Sequence, residues 1–381
     1  MPNKTTQRLS YVFGITMAVL MGLSLVLPAL TPQTTTTQPA VQPTATSNPV
    51  PTFPPPLTDF SSITFEQDYL HPSGLFSVGV PSGWSPNAPV NNASQAQISF
   101  GNPNTVSVVE TYIVDPAEPI TDLEQVSNRF DAVTLRSSWS QYSTSNELSR
   151  RIDEENERVL IDFELTRSGQ EFLARHAAWT DGNWIYVARV VVPRNAQELL
   201  FFMLDEVIAN FNPNTQFEAS PLGWVAYYDE TTQHIIRHPV TWRLTQGGNG
   251  VPAIISSAEG GTLQVAAEER AVASEDEARA WVEALRSGIE VLDIQPATRT
   301  GAEGYSVAFS FTDPDGESQS GLAVLLNDAN GLLHSATLLL PEGGVNLNTE
   351  EGRTAYPDAA LTMDTFSMLT GLNLEQPAEL E

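Results

Sequence analysis

One pattern occurs twice along the chain, and that repeat restricts the possible folds more than any other feature. The segment GLFSVGVPSGW (74–84) aligns with QHIIRHPVTWRL (233–244), which sets Pro81 on Pro239 and Trp84 on Trp242. Next, AQISFGNPNTVSVVETYIV (96–114) matches PAIISSAEGGTLQVAAEERAV (252–272) as two strands around a turn. Each copy then enters a helix through a hydroxyl residue with a carboxylate three positions on, Thr121 with Glu124 and Ser274 with Glu277. Leu123, Val126, Phe130 and Val133 form the expected apolar stripe of the first helix, and Ala278, Trp281, Val282 and Leu285 that of the second.

Strand-like runs follow in matching order: 157–165 with 304–311, 172–180 with 320–327, and 184–193 with 332–341. Asp181-Gly182 and Asn330-Gly331 are hairpin turns between them. A closing helix is expected near 195–210 in one copy and near 355–370 in the other, where Pro357 suits a first helical turn. Short connections make the sheets mainly antiparallel. The last strand of each copy is a nearly continuous apolar run, so both of its faces need cover, and the helices must supply it. The expected fold class is therefore α+β, with two tandem modules, 59–215 and 216–375, meeting in the polar segment 212–221 and followed by a tail at 376–381.

The stretch Tyr69 to Trp84, with its Gly-Leu-Phe-Ser-Val-x-Val-Pro-x-x-Trp, resembles the opening of Mog1/PsbP-like domains. The order of elements in each copy is similar to that family too. The resemblance implies an antiparallel sheet sandwiched by helices, repeated over most of 59–375. It also implies protein binding more than catalysis, because the family includes photosystem accessory proteins and a nuclear transport factor. The second copy departs from it by carrying His238 where the first has Val80.

The N-terminal region reads differently. Residues 1–10 hold Lys4 and Arg8, and Tyr11 to Leu30 is an uncharged apolar run. Twenty residues at 1.5 Å each span roughly 30 Å, the hydrocarbon thickness of a bilayer. With basic residues only before the run, the positive-inside rule orients everything after Leu30 outward. A retained signal anchor is the expectation, with secretion after cleavage as the alternative. Residues 31–58 contain 9 Thr and 8 Pro, too few apolar groups to order a fold, and read as a disordered spacer. That spacer reaches roughly 30 Å if flexible and about 85 Å if polyproline-like.

Composition narrows the function. The net charge of −28 repels polyanions, which argues against nucleic acid. The absence of cysteine removes disulfides, thiol nucleophiles and cysteine metal sites. Lys4 is the sole lysine, so no Schiff-base or P-loop lysine exists beyond the apolar run. No catalytic or cofactor-binding motif is recognised, and no cofactor is implied.

Asp313, Asp315 and Glu317 resemble the start of a calcium loop but lack its helical context, and read as a hairpin turn with weak cation binding as the alternative. His234 and His238 would sit roughly 13 Å apart on a strand, too far to share a metal. The charged run 150–158 reads as a solvated loop. Trp84 and Trp242 recur at turn-and-core positions, where they pack, or alternatively present a ligand or partner platform. The functional expectation is a membrane-tethered, extracytoplasmic, non-catalytic protein that binds or helps assemble an envelope partner. The alternatives are an extracytoplasmic hydrolase and a ligand or divalent-cation sensor.

Overall fold

The computed structural model describes residues 52–257 and 260–374. The expected membrane span at 11–30, most of the spacer and the tail at 376–381 lie outside the described residues. Among the described residues, no helix is long and apolar enough to cross a membrane.

The first half runs β1 (Gln67–Leu70), β2 (Phe76–Val80), β3 (Ser85–Pro86), β4 (Val90–Asn91), β5 (Gln95–Asn102) and β6 (Ser107–Val114). It continues through helices α1 (Leu123–Arg129) and α2 (Ala132–Ser138) to β7 (Thr144–Asp153), β8 (Arg158–Arg167), β9 (Gln170–Thr180) and β10 (Ile185–Pro193). Helix α3 (Gln197–Ala209) and β11 (Phe211–Pro213) end it. The second half runs β12 (Val225–Asp229), β13 (His234–His238), β14 (Arg243–Gly248), β15 (Val251–Ser256), β16 (Thr262–Glu268) and α4 (Glu275–Glu283). Then come β17 (Glu290–Arg299), β18 (Ala302–Thr312), β19 (Ser318–Asp328), β20 (Leu333–Leu340), α5 (Glu350–Ala355), α6 (Pro357–Asp364) and β21 (Ser367–Met368).

The two large sheets are ordered β3-β5-β6-β10-β9-β8-β7, with β4 beside β5, and β14-β15-β16-β20-β19-β18-β17. Two small sheets, β1-β2-β11 and β12-β13-β21, share one order as well. Neighbouring strands run antiparallel. Helices are few and short beside these sheets.

Strand β10 shows why both faces are covered. Tyr186, Ala188, Val190 and Val192 point into a core shared with α3, while Ile185, Val187 and Val191 point into one shared with α1 and α2. The period of two sends alternate apolar side chains to opposite faces. In the second half, β20 sends Ala336, Leu338 and Leu340 to one core and Leu333 to the core beneath α4.

Strand β13 lies between the two halves, which is why all five of its residues are buried. Ile236 packs with Tyr227, Trp242 and Phe366 of the second half, whereas Ile235 belongs to the first-half core with Leu75 and Phe76. Arg237, on the same side as Ile235, has no exposed surface. Its Nε donates to the Ser73 carbonyl at 2.7 Å and its Nη2 to the Pro221 carbonyl at 2.8 Å. Nη1 donates to the Ser220 hydroxyl. The chain end also returns to the first half, where Asn373 Nδ2 donates to the Glu66 carbonyl at 2.6 Å.

Several local expectations are corrected. The first capping residue is Asp122, which accepts from Gln125 N at 2.7 Å, one position later than Thr121. The helix it starts stops at Arg129, and Asp131 caps a second short helix, so Val133 turns outward at 75% exposure and Leu135 is buried instead. Leu285 lies past the end of α4 and is also exposed, whereas Ala278, Trp281 and Val282 are buried as expected. Ser274 caps α4 by accepting from Glu277 N at 3.2 Å. The run 150–158 is not a loop throughout, because Arg150 to Asp153 end the edge strand β7, whose exposed face tolerates charge. The spacer is described from Thr52, and Phe53 packs edge-on to Phe172 with ring centres 5.0 Å apart, so docked chain begins before Asp59.

Candidate functional site: an apolar recess beside Trp242

The two recurrent tryptophans sit in the same turn. Trp84 N donates to Pro81 O and Trp242 N to Pro239 O, both at 3.0 Å. Both indoles are buried, at 5% and 4% exposure. Their cover differs. Trp84 shares its core with Ala196, Leu199 and Leu200, beneath the unbroken 13-residue helix α3.

The matching helix in the second half is broken. Tyr356 both ends α5 and precedes α6, with φ −130° and ψ 68°, and Pro357 opens α6. Proline removes an amide donor and disfavours helical backbone in the residue before it, so a helix cannot run through this point. The break leaves a cavity of about 240 Å³, lined by Trp242, Leu338, Leu340, Ala355, Pro357 and Ala359. Leu338 and Leu340 reach it because they alternate along β20 on the face away from α4.

Polar groups lie at its edge. Tyr356 OH donates to Glu342 Oε2 at 2.7 Å, Ser257 Oγ accepts from Gly261 N at 2.8 Å, and Asp358 completes the lining. His238, the residue that departs from Val80, stacks on Trp242 with planes 18° apart and ring centres 6.3 Å apart. Its Nδ1 lies 3.0 Å from the Pro239 carbonyl, so Nδ1 carries the proton, and burial holds the ring below its ordinary pKa. A neutral imidazole thus backs the tryptophan. An apolar floor with a few polar groups at the rim suits binding of an apolar group.

The other sequence-based candidates are placed as follows. Asp313 spends its carboxylate on its own turn: Oδ1 accepts from Asp315 N at 3.0 Å and Glu317 N at 2.9 Å, and Oδ2 from Gln319 Nε2 at 2.9 Å. Gly316 supplies the left-handed position at φ +89°. Among the described residues, no three His, Asp or Glu side chains converge to hold a metal ion. His234 and His238 lie at opposite ends of β13, and His234 meets His334 instead, Nδ1 to Nδ1 at 3.4 Å. Sequence reasoning missed Tyr356, Leu338, Leu340 and Ala359 as site residues. The signal for them was Pro357, sitting inside the stretch expected to be one helix.

No family model and no curated protein matches the chain. Among solved structures, the chain is similar to cyanobacterial PsbP (CyanoP) from Synechocystis, at 13% identity and a TM-score of 0.28, over 39% of this chain and 91% of that one. A protein of Bacteroides thetaiotaomicron aligns at 14% identity and a TM-score of 0.27, over 40% of this chain and 49% of its own, so about half of that protein is spanned. The T6SS immunity protein TplEi of Pseudomonas aeruginosa aligns at 10% identity and a TM-score of 0.23, over 80% and 97% of the two chains. The likeness to PsbP is weak, and at these TM-scores none of the three carries an argument about function.

Proposed function

We propose that the protein is a membrane-tethered, extracytoplasmic binding protein built from two tandem PsbP-like modules, and that the recess beside Trp242 receives an apolar side chain of an envelope protein partner. The observation that carries this reading is the broken helix over Trp242, set against the unbroken one over Trp84. One turn with a buried tryptophan is closed in the first half and opened in the second, and the opened one is floored by leucines. The uncharged run Tyr11–Leu30, with Lys4 and Arg8 before it, supports a tether with the bulk of the chain outside. Linking two modules on one tether raises the effective concentration of the second at a shared partner.

The test is affinity capture of tagged full-length protein from native membranes with mild crosslinking, run beside an Ala359→Trp variant that fills the recess. The wild type should bring down one stoichiometric partner, and the filled variant should recover at least tenfold less. Equal recovery would contradict the recess as the binding site. In the same preparation, full-length protein should require detergent for extraction, whereas a chain starting at Thr52 should not. An intact full-length chain in the aqueous fraction would contradict the tether.

A further inference from the structure

The five histidines are all buried, and two of them meet between β13 and β20, strands of different sheets. His234 Nδ1 and His334 Nδ1 are 3.4 Å apart, with ring planes at 83°. Two nitrogens at that distance need one N–H between them, so one ring donates and the other accepts. The surroundings decide which. His334 Nε2 lies 3.6 Å from Asp328 Oδ2, and a carboxylate there favours an N–H. His334 is then the Nε2–H tautomer, and its Nδ1 accepts from His234 Nδ1–H. The Thr232 hydroxyl, 2.9 Å from the same His234 nitrogen, adds a second polar neighbour. His234 Nε2 is left buried with no partner, and His334 Nε2 makes no hydrogen bond, having only the Asp328 carboxylate 3.6 Å away.

Either site open to a further proton is unfavourable. A proton on His334 Nδ1 sets two N–H groups against each other at 3.4 Å. A proton on His234 Nε2 places a cation where nothing accepts its hydrogen bond. The charged groups facing the pair offer little relief. Asp229 on β12 already accepts from Thr231 N, Thr232 N, Gly250 N and the Tyr227 hydroxyl. Asp328 on β19 accepts from Asn330 N and Leu332 N. The facing positions Ala267 on β16 and Met368 on β21 are uncharged, and Phe366 packs on the ring of His234. On β13 itself, Arg237 faces the first half and His238 stacks on Trp242.

The rings themselves are buried, but Thr232 and Asp328, the pair's two polar neighbours, both line an open cavity of about 550 Å³ formed with Gln233, Glu269, Arg270 and Asn330. We propose that the His234–His334 pair is an acid-sensitive latch: it holds the hairpin β12–β13 on the second large sheet while both rings are neutral, and releases that hairpin when one takes up a proton through this cavity. Burial, with the neighbouring imidazole, keeps His234 down to about 4, and burial lowers His334 as well, so the latch is closed at neutral pH.

The test is hydrogen exchange of the full chain at pH 7 and pH 5, corrected for intrinsic rate. Protection of the Tyr227 and Ile236 amides should fall at least tenfold further between pH 7 and pH 5 than that of Ile161 in the first large sheet. In a His234→Gln/His334→Gln variant, the extra pH dependence at Tyr227 and Ile236 should vanish, leaving only that shared with Ile161. If that variant does not fold, ¹⁵N spectra of the wild type decide. A scalar coupling between the two Nδ1 atoms at pH 7, lost together with hairpin protection, supports the latch. Ordinary titration of either ring near pH 6.5 with the hairpin amides still protected would overturn it, as would equal exchange at both pH values.

Discussion

Replacing Arg237 with alanine should cost about 3–5 kcal/mol of stability and split one unfolding transition into two. The guanidinium is fully buried, and among the described residues no carboxylate pairs with it. Burial pushes its pKa down to about 9, so it remains a cation at neutral pH. Neutral oxygens hold it instead: the Ser73 carbonyl of the first half, and the Ser220 hydroxyl and Pro221 carbonyl of the connecting segment. Removing the side chain strands those acceptors, at about 1–3 kcal/mol for each that stays dry, and opens a void. Relief from desolvating the charge offsets part of this, but not all, because every oxygen loses its donor at once. Arg237→Lys should fall between, since an ammonium cannot span a fork of acceptors on two sides. Calorimetry checks this. A single transition at unchanged temperature in Arg237→Ala would show that the halves are held together by other contacts.

Lowering the pH from 7 to 4 should unfold the protein before its carboxylates are extensively protonated. A histidine that stays neutral in the fold, but titrates near 6.5 when unfolded, stabilises the fold fully above that pH. As the pH falls through 6.5 towards the folded value, the unfolded chain takes up a proton that the folded chain refuses, and stability drains away. Burial holds His71 and His234 down to about 4. Each therefore removes roughly 3 kcal/mol between pH 6.5 and pH 4. Burial also holds His176 well below the ordinary value and lowers His238 and His334. A domain stable by about 5–15 kcal/mol cannot absorb such a loss. One effect opposes it, because acid reduces the net charge of −28 and eases repulsion between carboxylates. At physiological salt that repulsion is screened beyond about 8 Å, so the buried histidines dominate. Urea midpoints at pH 7.5, 6, 5 and 4 should fall steeply below pH 6.5, and less steeply in His71→Gln. A flat profile down to pH 4 would contradict the buried, neutral assignment of these rings.

Much of the architecture was readable because it rests on local rules. The turns at Gly182 and Gly331 take positive φ, as Asp-Gly and Asn-Gly turns require. Strands β10 and β20 announced their burial as largely apolar runs, with only Arg189 in the first and His334, Ser335 and Thr337 in the second as polar members. The edge strands β7 and β17 were harder to see, because strands with exposed faces keep polar residues and lose the alternation that marks a half-buried strand. The latch and the junction were not readable. His234 and His334 are 100 residues apart in sequence, and only the packing of the small sheet β12-β13-β21 against the second large sheet brings them together. Arg237 did carry a signal: it aligns with Gly79, so one repeat places a long cation where the other has no side chain. The recess follows from Pro357, which was seen as a helix start although it also ends the helix before it.

The central claim is that the second half presents an apolar site which the first half, built in the same strand order, keeps closed. Titration of ¹⁵N-labelled protein with indole, followed through the indole N–H signals of Trp84 and Trp242, tests it most directly. The account predicts a saturable shift of Trp242 and of the Ala355 and Ala359 amides, with Trp84 unmoved, and loss of that shift in Ala359→Trp. Movement of both tryptophans together, or of neither, would contradict it.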